Sequence, residues 1–309
     1  MLSSNLNTLN KKKEKNFSNL ENIKKVNYLI FFIIVIHFFF AFLINENAGG
    51  GKIDEMHILN NFKLFKDSNF FEINWARYES TSLPLIYIFY NFIIDTSVYN
   101  NIIALNLVIS LSAFFLFYLC LDLVFTDSRR DENLLIASCL LLSPYFRTST
   151  FFALEENTAI FFTSLGLYFF LKLKKNFNYP TLILTLLFLS LSIYSRSNYI
   201  IIYIIIFFSL VDFKNIFSKN NFFIFFLSIL FSIPGFYFLN KWGGIVPPLA
   251  VNDRTVGLSN YTQIPIALNL LLIYIIPFFL LEFKKFISIF SYKKLLLFLA
   301  CLPIYYFIF

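Results

Sequence analysis

The chain has 309 residues, of which 58% are hydrophobic and 14% charged, with a formal net charge of +7. A soluble domain of this length carries roughly a quarter charged residues, and 45 Phe are more than one globular core can hide, so the bilayer is the expected solvent. The basic excess lies in short loops between apolar runs, where it orients a membrane chain; nucleic acid is not an expected partner.

In chain order, residues 1–25 form a Lys-rich tail, expected to be cytoplasmic, with its basic residues between Lys11 and Lys25. The apolar run Val26–Ile44 follows. It is longer than the roughly 7–15 residues of a signal-peptide core, so it is expected to be a retained first span, with His37 packed or hydrogen-bonded inside it. Gly49-Gly50-Gly51 reads as a linker, because no Lys-Ser/Thr follows at phosphate-loop spacing. Further apolar runs cover 99–125, 134–154, 157–171, 181–195, 199–211, 222–239, 263–281 and 295–309. Spanning takes about 20 helical residues, and the shorter runs must borrow from their flanks. Residues 83–94 are too few to cross and begin near Pro84, so they read as a half-helix or interfacial helix. The fold expected is therefore all-α and polytopic, with about nine transmembrane helices in a membrane domain over 26–309.

Charge supports that count. With 83–94 not crossing, Lys11–Lys25, Arg129, Arg130, Lys172, Lys174, Lys175, Lys214, Lys219 and the Lys284–Lys294 cluster share one side, which holds most of the 25 basic residues. The positive-inside rule favours this arrangement. The opposite, outer side receives 45–98, about 145–157, 195–199 and 240–262. Cys120, Cys139 and Cys301 fall in separate apolar runs, which fits packing rather than a disulfide or metal pattern.

The outer segments gather the unusual polar residues. The first, 45–98, opens with Asp54-Glu55-Met56-His57 and continues to Trp75, Arg77 and Glu79. The second holds Arg147, Glu155 and Glu156; the third holds Arg196 and Asn198; the last holds Lys241, Gly243, Gly244, Asn252, Asp253 and Arg254. Charges at the hydrocarbon edge are costly and are expected to face a partner or a wet cavity. A carboxylate supplies a general base, and arginines bind phosphate in a fork geometry. Together they suit a reaction between a lipid phosphate donor and a hydroxyl acceptor. Each has a plainer reading beside it: a solvated first helical turn for Asp54 and Glu55, a satisfied polar pair for Asp54 and His57, a loop pair for Glu155 and Glu156, a snorkelling side chain for Arg196.

The order Asp54-Glu55-Met56-His57, Thr81-Ser82-Leu83-Pro84-Leu85-Ile86-Tyr87, Arg196-Ser197-Asn198, Gly243-Gly244-Ile245-Val246 and Asn252-Asp253-Arg254-Thr255 resembles a family pattern. It is similar to the multispanning GT-C glycosyltransferases, and within them to the dolichyl-phosphate-glucose-dependent α-1,2-glucosyltransferases. Those carry Asp-Glu then His, Thr-Thr-Pro-Pro-Gly-Leu-Tyr, Arg-Gln-Thr-Asn, and Gly-Gly-Ile-Val with Gly-Asp-Arg-Ser. The resemblance covers roughly residues 50–260. It departs where His57 and Asn198 come one residue early and where Pro247–Val251 separate the last two segments, and the family's chains are longer.

The resemblance implies a glycosyltransferase that moves a sugar, glucose in the narrower family, from a polyprenyl-phosphate donor to a hydroxyl on a glycan or lipid-linked acceptor, with inversion. Asp54 is then the expected base and Glu55 the second choice. Arg196, Arg254 and Lys241 are expected on the donor phosphate. His57, Glu155, Glu156, Asn198 and Asp253 are expected to orient the acceptor or hold a divalent ion, the one cofactor left open. The setting would be a bacterial cytoplasmic membrane or the endoplasmic reticulum. A transporter or lipid flippase whose path these charges line is the alternative.

Overall fold

The apolar periodicity resolves into helices joined by short reversals, and no strand occurs among the described residues. In this computed structural model those residues are 2–47, 51–67, 73–80, 82–126, 130–244 and 247–249. The expected spans 263–281 and 295–309, together with Asp253 and Arg254, lie outside them.

Among the described residues three helices are long and apolar enough to cross a membrane: Ile23–Leu43 at the end of α1 (Leu2–Leu43), α4 (Tyr99–Val124) and α10 (Lys219–Trp242). A fourth crossing exists if α5 (Arg130–Leu142) and α6 (Pro144–Phe151) count as one broken span, bent by 65°. The run 134–154 is thus not the single straight helix its composition suggests. Pro144 has no N–H to continue α5 and instead opens α6 at its first turn, where a missing donor costs nothing; the Ser143 hydroxyl accepts from Phe146 N–H as the cap. The break leaves the carbonyls of Leu141 and Leu142, which lipid could not satisfy; Arg147 Nη1 donates to them at 3.4 and 2.6 Å. Further along α6, Asn106 Nδ2 donates to the carbonyls of Ser149 and Thr150 at 2.7 and 3.0 Å, and Asn157 Nδ2 to that of Phe146 at 2.9 Å.

The remaining helices are α7 (Glu155–Lys175), α8 (Tyr179–Ser195) and α9 (Ile200–Leu210). Packing forms a row: α1 lies on α5, α5 on α4, α4 on α7, α7 on α8, and α8 on α9 and α10. The α7–α8 approach is close because Gly166 faces Leu189, where an added Cβ would stand 2.8 Å from Cγ and 3.2 Å from the backbone nitrogen. Small residues let membrane helices approach in this way. Within α10, Pro234 weakens the backbone ladder. The Tyr194 hydroxyl enters there, donating to the Phe231 carbonyl and accepting from Gly235 N–H at 3.4 Å, the two groups an unbroken helix would join directly.

Successive reversals sort the polar groups to two ends. One end carries Arg130 near Asp122, Asn27 donating to Asp131 at 2.7 Å, and Lys174 donating to the Ser209 carbonyl at 3.0 Å. The other end carries the chain between α1 and α4. There α2 (Gly51–Asp67) turns Ile58, Asn61 and Phe62 inward at helical spacing and leaves Asp54, His57 and Lys63 exposed. It packs on α3 (Leu85–Ile93), which at nine residues spans about 13 Å and is too short to cross, as the sequence predicted for 83–94. Aromatic rings lock this layer to α10: Phe62 and Phe65 meet Tyr87, Trp75 meets Phe238, and Tyr78 stacks on Trp242 with centroids 6.0 Å apart.

Candidate functional site

Three helix C-termini at this second end stop in the same way. Asn45, Ala153 and Gly243 each take a left-handed φ, of 52°, 52° and 70°. In each case the next N–H bonds back five residues, Glu46 to Ala41, Leu154 to Ser149 and Gly244 to Leu239, which satisfies carbonyls the helix leaves free. Ala153 accepts a steric cost that glycine would avoid. The sharp stop delivers Glu155 directly into the first turn of α7, so Glu155 and Glu156 are helical rather than a loop pair.

Glu155 is 5% exposed. Its Oε1 accepts hydrogen bonds from the Tyr87 hydroxyl at 2.7 Å and the Ser80 hydroxyl at 2.8 Å. Its Oε2 lies 3.7 Å from Arg196 Nη1. Burial pushes the Glu155 carboxyl above its usual range, and the Arg196 charge, followed by the hydroxyl donors, opposes that shift. Arg196 caps the end of α8 and is itself held by Glu156, to which Nη2 donates, and by Ser82, whose hydroxyl Nη1 reaches at 3.5 Å. Arg196 therefore does not snorkel alone to water; it sits between two carboxylates.

A second tier supports the first. Asn61 Nδ2 donates to the Tyr87 hydroxyl at 3.1 Å, and Asn61 Oδ1 accepts the Glu79 N–H at 2.9 Å. The Glu79 carboxylate meets His57 Nδ1 at 2.7 Å and accepts from Asn60 Nδ2 at 3.3 Å. His57 thus pairs with Glu79, not with Asp54. Among the described residues no three His, Cys, Asp or Glu side chains are grouped to hold a metal ion.

Among the described residues, the other sequence candidates make no hydrogen bond or ion pair with this cluster. Asp54 is exposed, with no partner among the described residues. Glu55 is half-buried, and desolvation raises its carboxyl while Lys52 lowers it. Asn198 is exposed in the turn Ser197–Tyr199, and Lys241 extends over the Tyr237 ring at 5.7 Å. Ser80, Ser82, Tyr87 and Asn61 were given no role from sequence. Only Ser82 and Tyr87 carried a signal, as members of the Thr81–Tyr87 segment; a hydroxyl or amide on an apolar helix face looks like packing until its partner is known.

Among the described residues two cavities lie near the cluster. One, of about 440 Å³, is an apolar groove between α8, α9 and α10, lined by Leu83, Ile193, Tyr194, Ile200, Tyr203 and Phe231 among others. It meets the cluster where Leu83 follows Ser82. The other, of about 460 Å³, is a polar cleft bounded by Asn60, Lys63, Asp67, Arg77, Glu79 and Leu249. Its two cations and two carboxylates balance. The arrangement is thus a guanidinium with paired carboxylates, an apolar groove on one side and a neutral polar cleft on the other, and it stands on its own geometry: no protein-family model, no curated protein and no solved structure matches this chain.

Proposed function

We propose that the chain is a membrane glycosyltransferase of the GT-C type that passes a sugar from a polyprenyl-phosphate donor to a hydroxyl acceptor, with nine spans placing the site at the outer face. The observation that carries the reading is the apolar groove lined by Leu83, the residue after Ser82, whose hydroxyl Arg196 reaches at 3.5 Å: a lipid chain in the groove could bring its phosphate toward that guanidinium. The polar cleft, with no net charge and several hydrogen-bonding side chains, suits a polyhydroxylated acceptor such as a glycan.

In the proposed reaction a carboxylate of α2, Asp54 or Glu55, takes the proton of the acceptor hydroxyl. The hydroxyl oxygen bonds to C1 of the sugar as the C1–O bond to phosphate breaks, and the bonding pair leaves on the phosphate. Attack opposite the leaving group inverts the anomeric centre. Arg196, with Lys241 as a further proposed cation, stabilises the charge developing on phosphate. A base must come within hydrogen-bond reach of the hydroxyl, which the exposed first turn of α2 permits.

One observation favours the rival. Glu155, Glu156 and Arg196 sum to −1 when all are ionised, and a carrier would balance that charge with a coupling cation or proton. Purified protein incubated with radiolabelled polyprenyl-phosphate sugars decides between them. Transfer or donor hydrolysis by wild type, absent in Asp54→Asn and reduced at least about 100-fold in Arg196→Ala, is the expected result. No turnover of any donor by folded protein, with solute or lipid movement in proteoliposomes, would replace this reading with the carrier.

A further inference from the structure

We propose that Glu156 occupies, in the ligand-free protein, the position on the Arg196 guanidinium that the donor's phosphate takes on binding, so that binding exchanges one anion for another. The inference rests on the reading of Arg196 as a phosphate-binding residue and goes beyond it by assigning Glu156 as the group that sets selectivity for charged lipid.

The two carboxylates around Arg196 are held unequally. Glu155 is 5% exposed and fixed by Tyr87 and Ser80. Glu156 is 37% exposed, and its one hydrogen-bonding partner among the described residues is Arg196. While Glu156 is in place the guanidinium charge is cancelled, so a phosphate cannot simply be added; it has to displace a carboxylate. Glu156 is the one free to leave. A partly exposed ion pair is weak, and Glu156 stands in the first turn of α7, where unpaired backbone N–H groups favour negative charge whether or not Arg196 is near. The incoming phosphate offers the planar guanidinium two parallel hydrogen bonds. Ser82 is already at Nη1, and the neighbouring groove would hold the lipid chain.

Selectivity follows. An uncharged polyprenol fills the groove but cannot displace Glu156, whereas a polyprenyl phosphate can. The test measures binding of farnesyl phosphate and of farnesol to the detergent-solubilised full chain, in wild type, Glu156→Gln, Glu156→Ser and Arg196→Gln, with thermal unfolding as the folding control. Both Glu156 variants should bind farnesyl phosphate roughly three- to tenfold more tightly with farnesol unchanged, and Arg196→Gln should lose the preference for the phosphate. If Arg196→Gln loses that preference but both Glu156 variants bind farnesyl phosphate no more tightly than wild type, the exchange is wrong and the phosphate site stands. If neither wild type nor the Glu156 variants distinguish phosphate from alcohol, both are wrong.

Discussion

Arg147 and Arg196 lie at the same end of the helices, and their surroundings assign them different work. Arg147 is 6% exposed and bonds Glu46 through Nε at 2.5 Å and Nη2 at 2.6 Å, while Nη1 donates to the Leu142 carbonyl at 2.6 Å. Its donors are committed to the C-terminus of α5 and the end of α1, so its role is in the fold. Arg196 is 33% exposed and keeps a face that a ligand can reach. Glu46→Gln should leave a buried guanidinium without its counter-charge and cost about 3 kcal/mol, read as a lower unfolding midpoint in detergent. The bond from Arg147 holds the Glu46 carboxyl below its usual 4.5. Its contribution to stability is therefore present above pH about 4.5 and is lost as pH falls through the lowered value. Acid unfolding of wild type should steepen below that point, and the Gln variant should lack this component. The sequence brought out both arginines but not the difference between them, because Glu46 lies 101 residues from Arg147 and nothing local links the two.

Among the elements, periodicity and punctuation were legible wherever the cause is local. Pro84 and a short apolar run predicted α3, and the stretch running to Lys66 forms the amphipathic α2, with Ile58, Asn61 and Phe62 on its inward face. The α5–α6 break was not predicted: 134–154 reads as one apolar run although Pro144 marks the break, and that the freed Leu141 and Leu142 carbonyls find the Arg147 guanidinium is visible only once the bend between α5 and α6 is known. Helix contact was equally hidden: Gly166 is an ordinary helix-interior glycine until Leu189 is placed against it. Gly166→Val should force α7 and α8 apart and cost about 2–3 kcal/mol, measured as a drop in thermal midpoint, with loss of sugar transfer if the α8 end carrying Arg196 shifts with it. An unchanged midpoint would mean the two helices slide freely past one another.

For the molecule as a whole, composition already required a bilayer, and charge asymmetry assigned the basic and site ends before any contact was known. The three long helices support membrane residence; α8 and α9, at 17 and 11 residues, are spans only in the proposed topology. In a background where Cys120, Cys139 and Cys301 are replaced by Ser, a single cysteine at Met56, 68% exposed, should react with an impermeant maleimide applied to sealed membranes from the outer or lumenal side. One at Phe217, fully exposed, should react only after permeabilisation. Equal labelling of both would overturn the sidedness. The groove between α8, α9 and α10 carries a last consequence. Its rim residues Ile204 and Phe236 are exposed, so a lipid ligand would enter from the membrane plane, and occupancy would follow its mole fraction among surrounding lipids. Adding inert lipid at constant donor molarity should then slow turnover, the surface-dilution behaviour of an enzyme that meets its substrate in two dimensions.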